Sequence, residues 1–181
     1  MNGETLTTGG ALEGAATAAL SGAAKLRYLL VALAVLVADQ WTKWLVEVHL
    51  PPHSAHSVVP GFINLTHIRN NGVAFGLFAS DGGGNSWLLT ALGVAALAAV
   101  LAYFWLASAH DRVLLVALAL VVGGALGNLI DRVASGAVTD FVDVYVGTRH
   151  WPAFNVADSA ISVGIVLMAL DSLRGGRARK T

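Results

Sequence analysis

Four stretches of this chain, residues 26–46, 87–107, 113–130 and 156–173, are predominantly apolar. Each is close to the ~20 residues a helix needs to cross ~30 Å of hydrocarbon. Within lipid, backbone N–H and C=O groups must be satisfied internally, and continuous runs of this length do that as helices. Composition agrees: 56% of the 181 residues are apolar and 12% are charged, against about 45–50% and about 25% in ordinary soluble domains. A soluble domain of this length has no interior large enough for so much apolar surface. The sequence therefore predicts an α-helical integral membrane protein with four transmembrane helices.

The net charge is zero and there is no cysteine. A neutral chain lacks the basic surface that general nucleic-acid binding needs. Without cysteine there is no thiol nucleophile, thiolate metal site or disulfide. Residues 1–25 are rich in Gly, Ala and Thr and are expected to be a disordered tail; residues 174–181 form a basic tail. Lys25 and Arg27 before an apolar run imitate a secretory signal. That run leads into Asp39-Gln40 with no small-residue cleavage site, so it reads as an uncleaved first helix.

Basic residues orient the spans. Lys25, Arg27, Arg112, Arg174, Arg177, Arg179 and Lys180 lie on one side, and Lys43, Arg69, Arg132 and Arg149 on the other. The excess on the first side places both termini in the cytoplasm, so the 47–86 and 131–155 connections face outward. The first of these is more than a linker. Its "SVVPGFINLTHIRNNGVAFGLF" contains β-branched and aromatic residues with loose alternation, and Asn71-Gly72 is a hairpin-type turn signal. A small outward-facing β-rich element between helices 1 and 2 is expected.

The polar residues are not scattered. Asp39, Asn128, Asp131, Arg132, Asp140, Asn155 and Asp158 all fall at or just beyond the outward ends of spans 1, 3 and 4. Ionisable groups in spans are costly and face a bundle interior or a watery cavity. Bland roles exist for several of them. Asp39 can pair with Lys43 at i+4, Asp131-Arg132 can form a local ion pair, and Asn128 can bond across helices beside Gly123 and Gly127. Asp143 reads as a solvated acid. Asp140 and Asp158 resist such readings, because Asp158 sits within a span with no cation nearby in sequence. Two carboxylates sharing a low-dielectric site keep one proton between them. One can then activate water while the other protonates a scissile carbonyl, the chemistry of an aspartyl peptidase. The residues alone leave Asp131 as a second candidate partner for Asp158. Its cationic neighbour Arg132 argues for a structural role and favours Asp140.

Other chemistries fit less well. No His-Glu-x-x-His occurs, and His53 and His56 lie in a Pro-rich loop away from the acids, so no metal is expected. Ser159 and Ser162 follow Asp158 without a Lys or His to act as base. A small transporter or assembly factor using the acids for proton or helix contacts is the alternative to an enzyme. The absence of an internal repeat disfavours a secondary transporter.

Five motifs occur in order: "ADQWTKW" at 38–44, "RNNGVAFGLF" at 69–78, "GGALGNLIDR" at 123–132, "VTDF" at 138–141 and "PAFNVADSAISVG" at 152–164. Together they resemble the lipoprotein signal peptidases, or signal peptidase II, over roughly residues 26–173. The resemblance implies an aspartic endopeptidase of the bacterial cytoplasmic membrane. Such an enzyme removes the signal peptide from diacylglyceryl-modified prolipoproteins, cutting before the lipidated cysteine. It implies Asp140 and Asp158 as the catalytic pair. Asp39, Asn70, Asn128, Asp131, Arg132 and Asn155 would support the substrate or the site, with Asn70 rather than Asn71 at the asparagine of N-x-G. No cofactor is implied. The expected partners are the prolipoprotein and membrane lipid, the expected state is a monomer, and the active site is expected towards the outer face. Phe62, Phe75, Phe78 and Trp151 are candidates for a substrate-facing surface or an interfacial belt.

Overall fold

The computed structural model describes residues 6–72 and 86–178, with side chains over 22–72 and 87–173. The elements run α1 (Leu6–His49), β1 (Ala55–Val59), β2 (Ile63–Asn70), α2 (Ser86–Leu106), α3 (Arg112–Ser135), β3 (Val138–Val146), β4 (Arg149–His150) and α4 (Val156–Ala178). The stretches long and apolar enough to span are Gly22–His49, Trp87–Leu106, Arg112–Ser135 and Val156–Leu173. All four expected spans are present. Helical backbone begins at Leu6, within the segment expected as a tail. Alanine's high helix propensity in this Ala-rich stretch favours that outcome over its scattered Gly and Thr.

The third span is the hub. Its most apolar window has a mean hydropathy of 2.5 and is 56% buried, against 17–22% for the other three. It packs against α1, α2 and α4, while the outer helices turn residues such as Leu30, Leu92 and Val166 outward to where lipid would lie. Close approach depends on glycine. A methyl on Gly123 would lie 2.5 Å from the Ala32 carbonyl oxygen of α1, and one on Gly124 would collide with the Ala157 carbonyl of α4. The helix is also well terminated. Asp111 Oδ1 accepts the Leu114 N–H at 3.3 Å, and Gly136, with φ 74°, donates its N–H to the Arg132 carbonyl. A left-handed residue at that point is the usual glycine stop.

The four strands form an antiparallel sheet in the order β1-β2-β3-β4. Only β1 and β2 come from the connection between α1 and α2. The other two come from the 136–155 connection, so the expectation of a β-element confined to the first connection is too narrow. "VTDFVDVYV" is rich in β-branched and aromatic residues. Its first four residues are all buried, however, so it lacks the alternation that marks a half-exposed strand. The β1–β2 hairpin turns at Gly61, with φ 79°, and not at Asn71-Gly72, where β2 has already ended. The strand expected after Gly72, with Phe75 and Phe78, lies outside the described residues.

Two features of the sheet set the neighbours of Asp140. The β2–β3 register puts Ile68 opposite Asp140 and Asn70 opposite Val138, with an irregularity between Leu65 and Ile68. In addition, the Phe154 carbonyl accepts N–H bonds from Phe141 (3.1 Å) and Val142 (2.8 Å). These bonds strap the entry of α4 to β3, which brings the first turn of α4 beside Asp140.

Candidate active site

The first turn of α4 is a reciprocal cap. Asn155 Oδ1 accepts the Asp158 N–H at 2.9 Å, and Asp158 Oδ2 accepts the Asn155 N–H at 3.2 Å. This is the capping-box arrangement, with Asn and Asp in place of Ser/Thr and Glu. Asp158 Oδ1 accepts from Asn128 Nδ2 of α3 at 2.8 Å. The carboxylate therefore receives two N–H donors at the positive end of the helix dipole, an environment suited to negative charge.

Asp140 lies on the other side of Asn155. Its Oδ1 accepts from Asn155 Nδ2 at 2.8 Å, and its Oδ2 accepts from Asn70 Nδ2 at 3.0 Å. Asn70, and not the exposed Asn71, reaches the carboxylate. Asp140 is only 2% exposed. Burial pushes its pKa from 3.8 up to about 6; the Asn70 hydrogen bond opposes this, the nearby Asp158 charge adds to it, and Asn155 and Lys43 oppose it more weakly. Asp140 and Asp158 thus share a hydrogen-bonding residue, interact electrostatically and line one cavity of about 620 Å³. Arg132, Trp151 and Phe154 also line it.

Asp39 and Asp131 meet at Lys43, whose Nζ also donates to Asn128 Oδ1 at 3.0 Å. Lys43 Nζ lies 2.7 Å from Asp39 Oδ2 and 2.8 Å from Asp131 Oδ2, with all three side chains largely buried. Asp39 Oδ1 also accepts the Ala157 N–H of α4 at 2.9 Å, and Gln40 Nε2 donates to Asp131 Oδ1 at 2.9 Å. The Asp39–Lys43 pair is therefore present, but as part of a buried inter-helix junction. Removing one member of such a junction strands a charge. The Asp131–Arg132 ion pair is not formed: adjacent helical residues point in different directions, and Asp131 instead faces Lys43. Arg132 turns to the cavity, with its Nη1 3.5 Å from the Asn128 carbonyl.

The structure thus gathers Asp140, Asp158, Asn70, Asn128 and Asn155 into one hydrogen-bonded group. Arg132 lines the same cavity, and Asp39 and Asp131 are joined to the group through Lys43 and Asn128. Lys43 was visible in the sequence only as a local partner of Asp39; its bonds to Asp131 and Asn128 depend on helix packing. Asp143 is not simply solvated. Burial would raise its pKa, but hydrogen bonds from His150 and Asn64 outweigh that and hold it below the usual value. Of the aromatic candidates, Trp151 lines the cavity, whereas Phe62 is exposed in the β1–β2 turn and does not.

The profile of signal peptidase (SPase) II matches residues 31–174. The chain belongs to the signal peptidase II family. It is 46% identical over 160 residues to the lipoprotein signal peptidase of Burkholderia mallei (strain SAVP1), spanning 88% of this chain and 95% of that protein. The lipoprotein signal peptidase of Paraburkholderia phytofirmans (strain DSM 17436 / LMG 22146 / PsJN) is 48% identical over 153 residues, 84% of this chain and 88% of its own. A bacterial membrane enzyme solved by the in meso method at 2.3 Å resolution superposes with a TM-score of 0.68 at 34% identity, covering 82% of this chain and 88% of that one. A second such structure, at 1.9 Å, gives 0.68 at 35% identity over 81% and 92%. As a member of this family the chain is an aspartic peptidase of the membrane.

Proposed function

We propose that this protein removes the signal peptide from diacylglyceryl-modified prolipoproteins by cutting before the lipidated cysteine, with Asp140 and Asp158 as its catalytic dyad. The observation that carries the dyad is that both acids bind Asn155 and line one cavity while the other acids of the layer are held by Lys43. Burial, helped by the Asp158 charge, raises the Asp140 pKa to about 6, which suits Asp140 to the role of the acid that keeps a proton. Asp158, with two N–H donors at a helix N-terminus, is the base.

The steps balance without a covalent intermediate. Asp158 takes a proton from a water as its oxygen attacks the scissile carbonyl carbon, and Asp140 gives its proton to the carbonyl oxygen. The tetrahedral gem-diol then collapses. Asp158 returns its proton to the departing amine of the cysteine, the C–N bond breaks, and Asp140 recovers a proton from the gem-diol. Two oriented carboxyl groups contribute on the order of 10²–10⁴-fold each by such transfers.

The bias of basic residues supports cytoplasmic termini and an active site towards the outer leaflet. In that placement the diacylglyceryl chains remain in lipid while the peptide bond enters the cavity, and one chain suffices for the reaction. Purified Asp140→Asn and Asp158→Asn variants, assayed on a diacylglyceryl prolipoprotein and its unlipidated form, provide the test. Each variant should lose cleavage by on the order of 10²–10⁴-fold, and the wild type should prefer the lipidated form. Wild-type rates in either variant would return the acids to a non-catalytic role.

A further inference from the structure

Lys43 is the residue whose chemistry the dyad does not explain. Its ammonium carries three hydrogens and no acceptor. Its three partners are Asp39 Oδ2 at 2.7 Å, Asp131 Oδ2 at 2.8 Å and Asn128 Oδ1 at 3.0 Å. Two of these are the charge partners a buried ammonium needs. The third is a neutral amide that hydrogen-bonds Asp158 through its other end, Asn128 Nδ2 to Asp158 Oδ1 at 2.8 Å.

An amide side chain can sit either way round, and its surroundings decide which. If Asn128 were reversed, its NH2 would meet the donor-only ammonium and its oxygen would face the Asp158 carboxylate. Both contacts would be repulsive. Asn155 Nδ2 also points at Asn128 Oδ1, at 3.2 Å, but it is shared with Asp140 Oδ1 at 2.8 Å and the Thr139 carbonyl at 3.3 Å. Two hydrogens spread over three acceptors hold the amide less firmly than a charge-assisted bond does.

We infer that Lys43 is a positioning residue for the reaction: its ammonium locks the orientation of Asn128, and Asn128 in turn fixes the Asp158 carboxylate for attack. This rests on the reading of Asp140 and Asp158 as the dyad. Lys43 does not line the cavity, so its effect falls on kcat and not on substrate binding.

The test separates the donor from the charge. Lys43→Gln and Lys43→Met both remove the charge with side chains of similar length, but only Gln keeps an N–H to offer Asn128 Oδ1. Each is placed in an Asp131→Asn background, which keeps the formal net charge of the buried cluster at its wild-type value. In full-length protein cleaving a diacylglyceryl prolipoprotein, the Met variant should lose roughly 30–100-fold in kcat relative to Asp131→Asn, with KM within about threefold. The Gln variant should retain at least about tenfold more kcat than Met. In an added Asn128→Ala background the two should become equal, because the amide they act through is gone. Equal losses for Gln and Met with Asn128 present overturn the inference, as does a difference that persists without Asn128. Failure of both variants to fold also overturns it, by reducing Lys43 to a stability role. Asp140→Asn and Asp158→Asn run alongside: survival of either sinks the dyad reading, whereas loss of both with equal Gln and Met sinks only the positioning role of Lys43.

Discussion

Asn155 and Asp158 cap one another across the first turn of α4, each accepting the other's backbone N–H, at 2.9 and 3.2 Å. A proposed catalytic carboxylate is thus also part of the device that starts its own helix. This couples precise placement of Asp158 to helix formation and makes the two residues separable by substitution.

Asp158→Asn keeps a side-chain oxygen able to accept the Asn155 N–H. Its NH2 then faces the Asn128 Nδ2 that Asp158 Oδ1 had accepted from, so the variant should keep the cap yet lose some stability, with cleavage falling by on the order of 10²–10⁴-fold. Asn155→Ala removes the cap acceptor, which typically costs about 1 kcal/mol, and it also takes a donor from Asp140. It should lower the unfolding midpoint by roughly 2–4 °C and lose activity as well. Thermal unfolding and cleavage measured on the same preparations check the pair; an Asp158→Asn variant that keeps wild-type cleavage would contradict it.

On the proposed mechanism, Asp140 sets the pH dependence. Its carboxyl must hold a proton to protonate the scissile carbonyl, and burial has pushed its pKa up to about 6. Activity should therefore fall as pH rises through the pKa of this group. The basic limb of kcat/KM, which reports the free enzyme, is expected near pH 6. Asn70 donates to the ionised form and so lowers this pKa. Asn70→Ala removes that pull, so the limb should move to higher pH even though the maximal rate falls. A limb that stays fixed or moves down would show that Asn70 does not act on the Asp140 charge.

The spans were legible because lipid imposes a length and an apolarity that appear in any window of the sequence. The polar layer was legible for the converse reason: Asp158 in a span is too costly to be incidental. What stayed hidden depends on contacts between distant segments. β3 pairs with β2 across two intervening helices, and its buried first half erases the alternation that would mark it. Lys43 pairs locally with Asp39, which any helical wheel shows, but its bonds to Asp131 and Asn128 exist only once α1 packs on α3.

Glycine at 127 is required by Asp39. A methyl there would collide with Asp39 Oδ2 and lie 3.1 Å from its Cγ, displacing a carboxylate that holds both Lys43 and the Ala157 N–H. Gly127→Ala should cost about 1–3 kcal/mol by overpacking and depress cleavage by disturbing the start of α4. Gly93 is the control, since a methyl there meets only Leu129 Cδ1 at 3.8 Å. Gly93→Ala should be neutral or stabilising by up to about 1 kcal/mol through helix propensity. Unfolding midpoints in one detergent rank the two, and equal midpoints would contradict the packing argument.

Trp151 follows β4 and lines the cavity while remaining 69% exposed, so its indole is open at the cavity and is not buried in the fold. Its backbone N–H is held by the Val144 carbonyl at 2.8 Å, so the position of the residue survives loss of the side chain. Trp151→Ala should therefore leave the unfolding midpoint nearly unchanged. It should raise KM for the lipidated precursor several-fold, as expected when a large aromatic contact surface is removed, with kcat changed less than about threefold. Steady-state kinetics at a fixed detergent-to-lipid ratio separate the two constants. A fall confined to kcat would place the indole at the chemistry, and an unchanged KM would remove it from the substrate path.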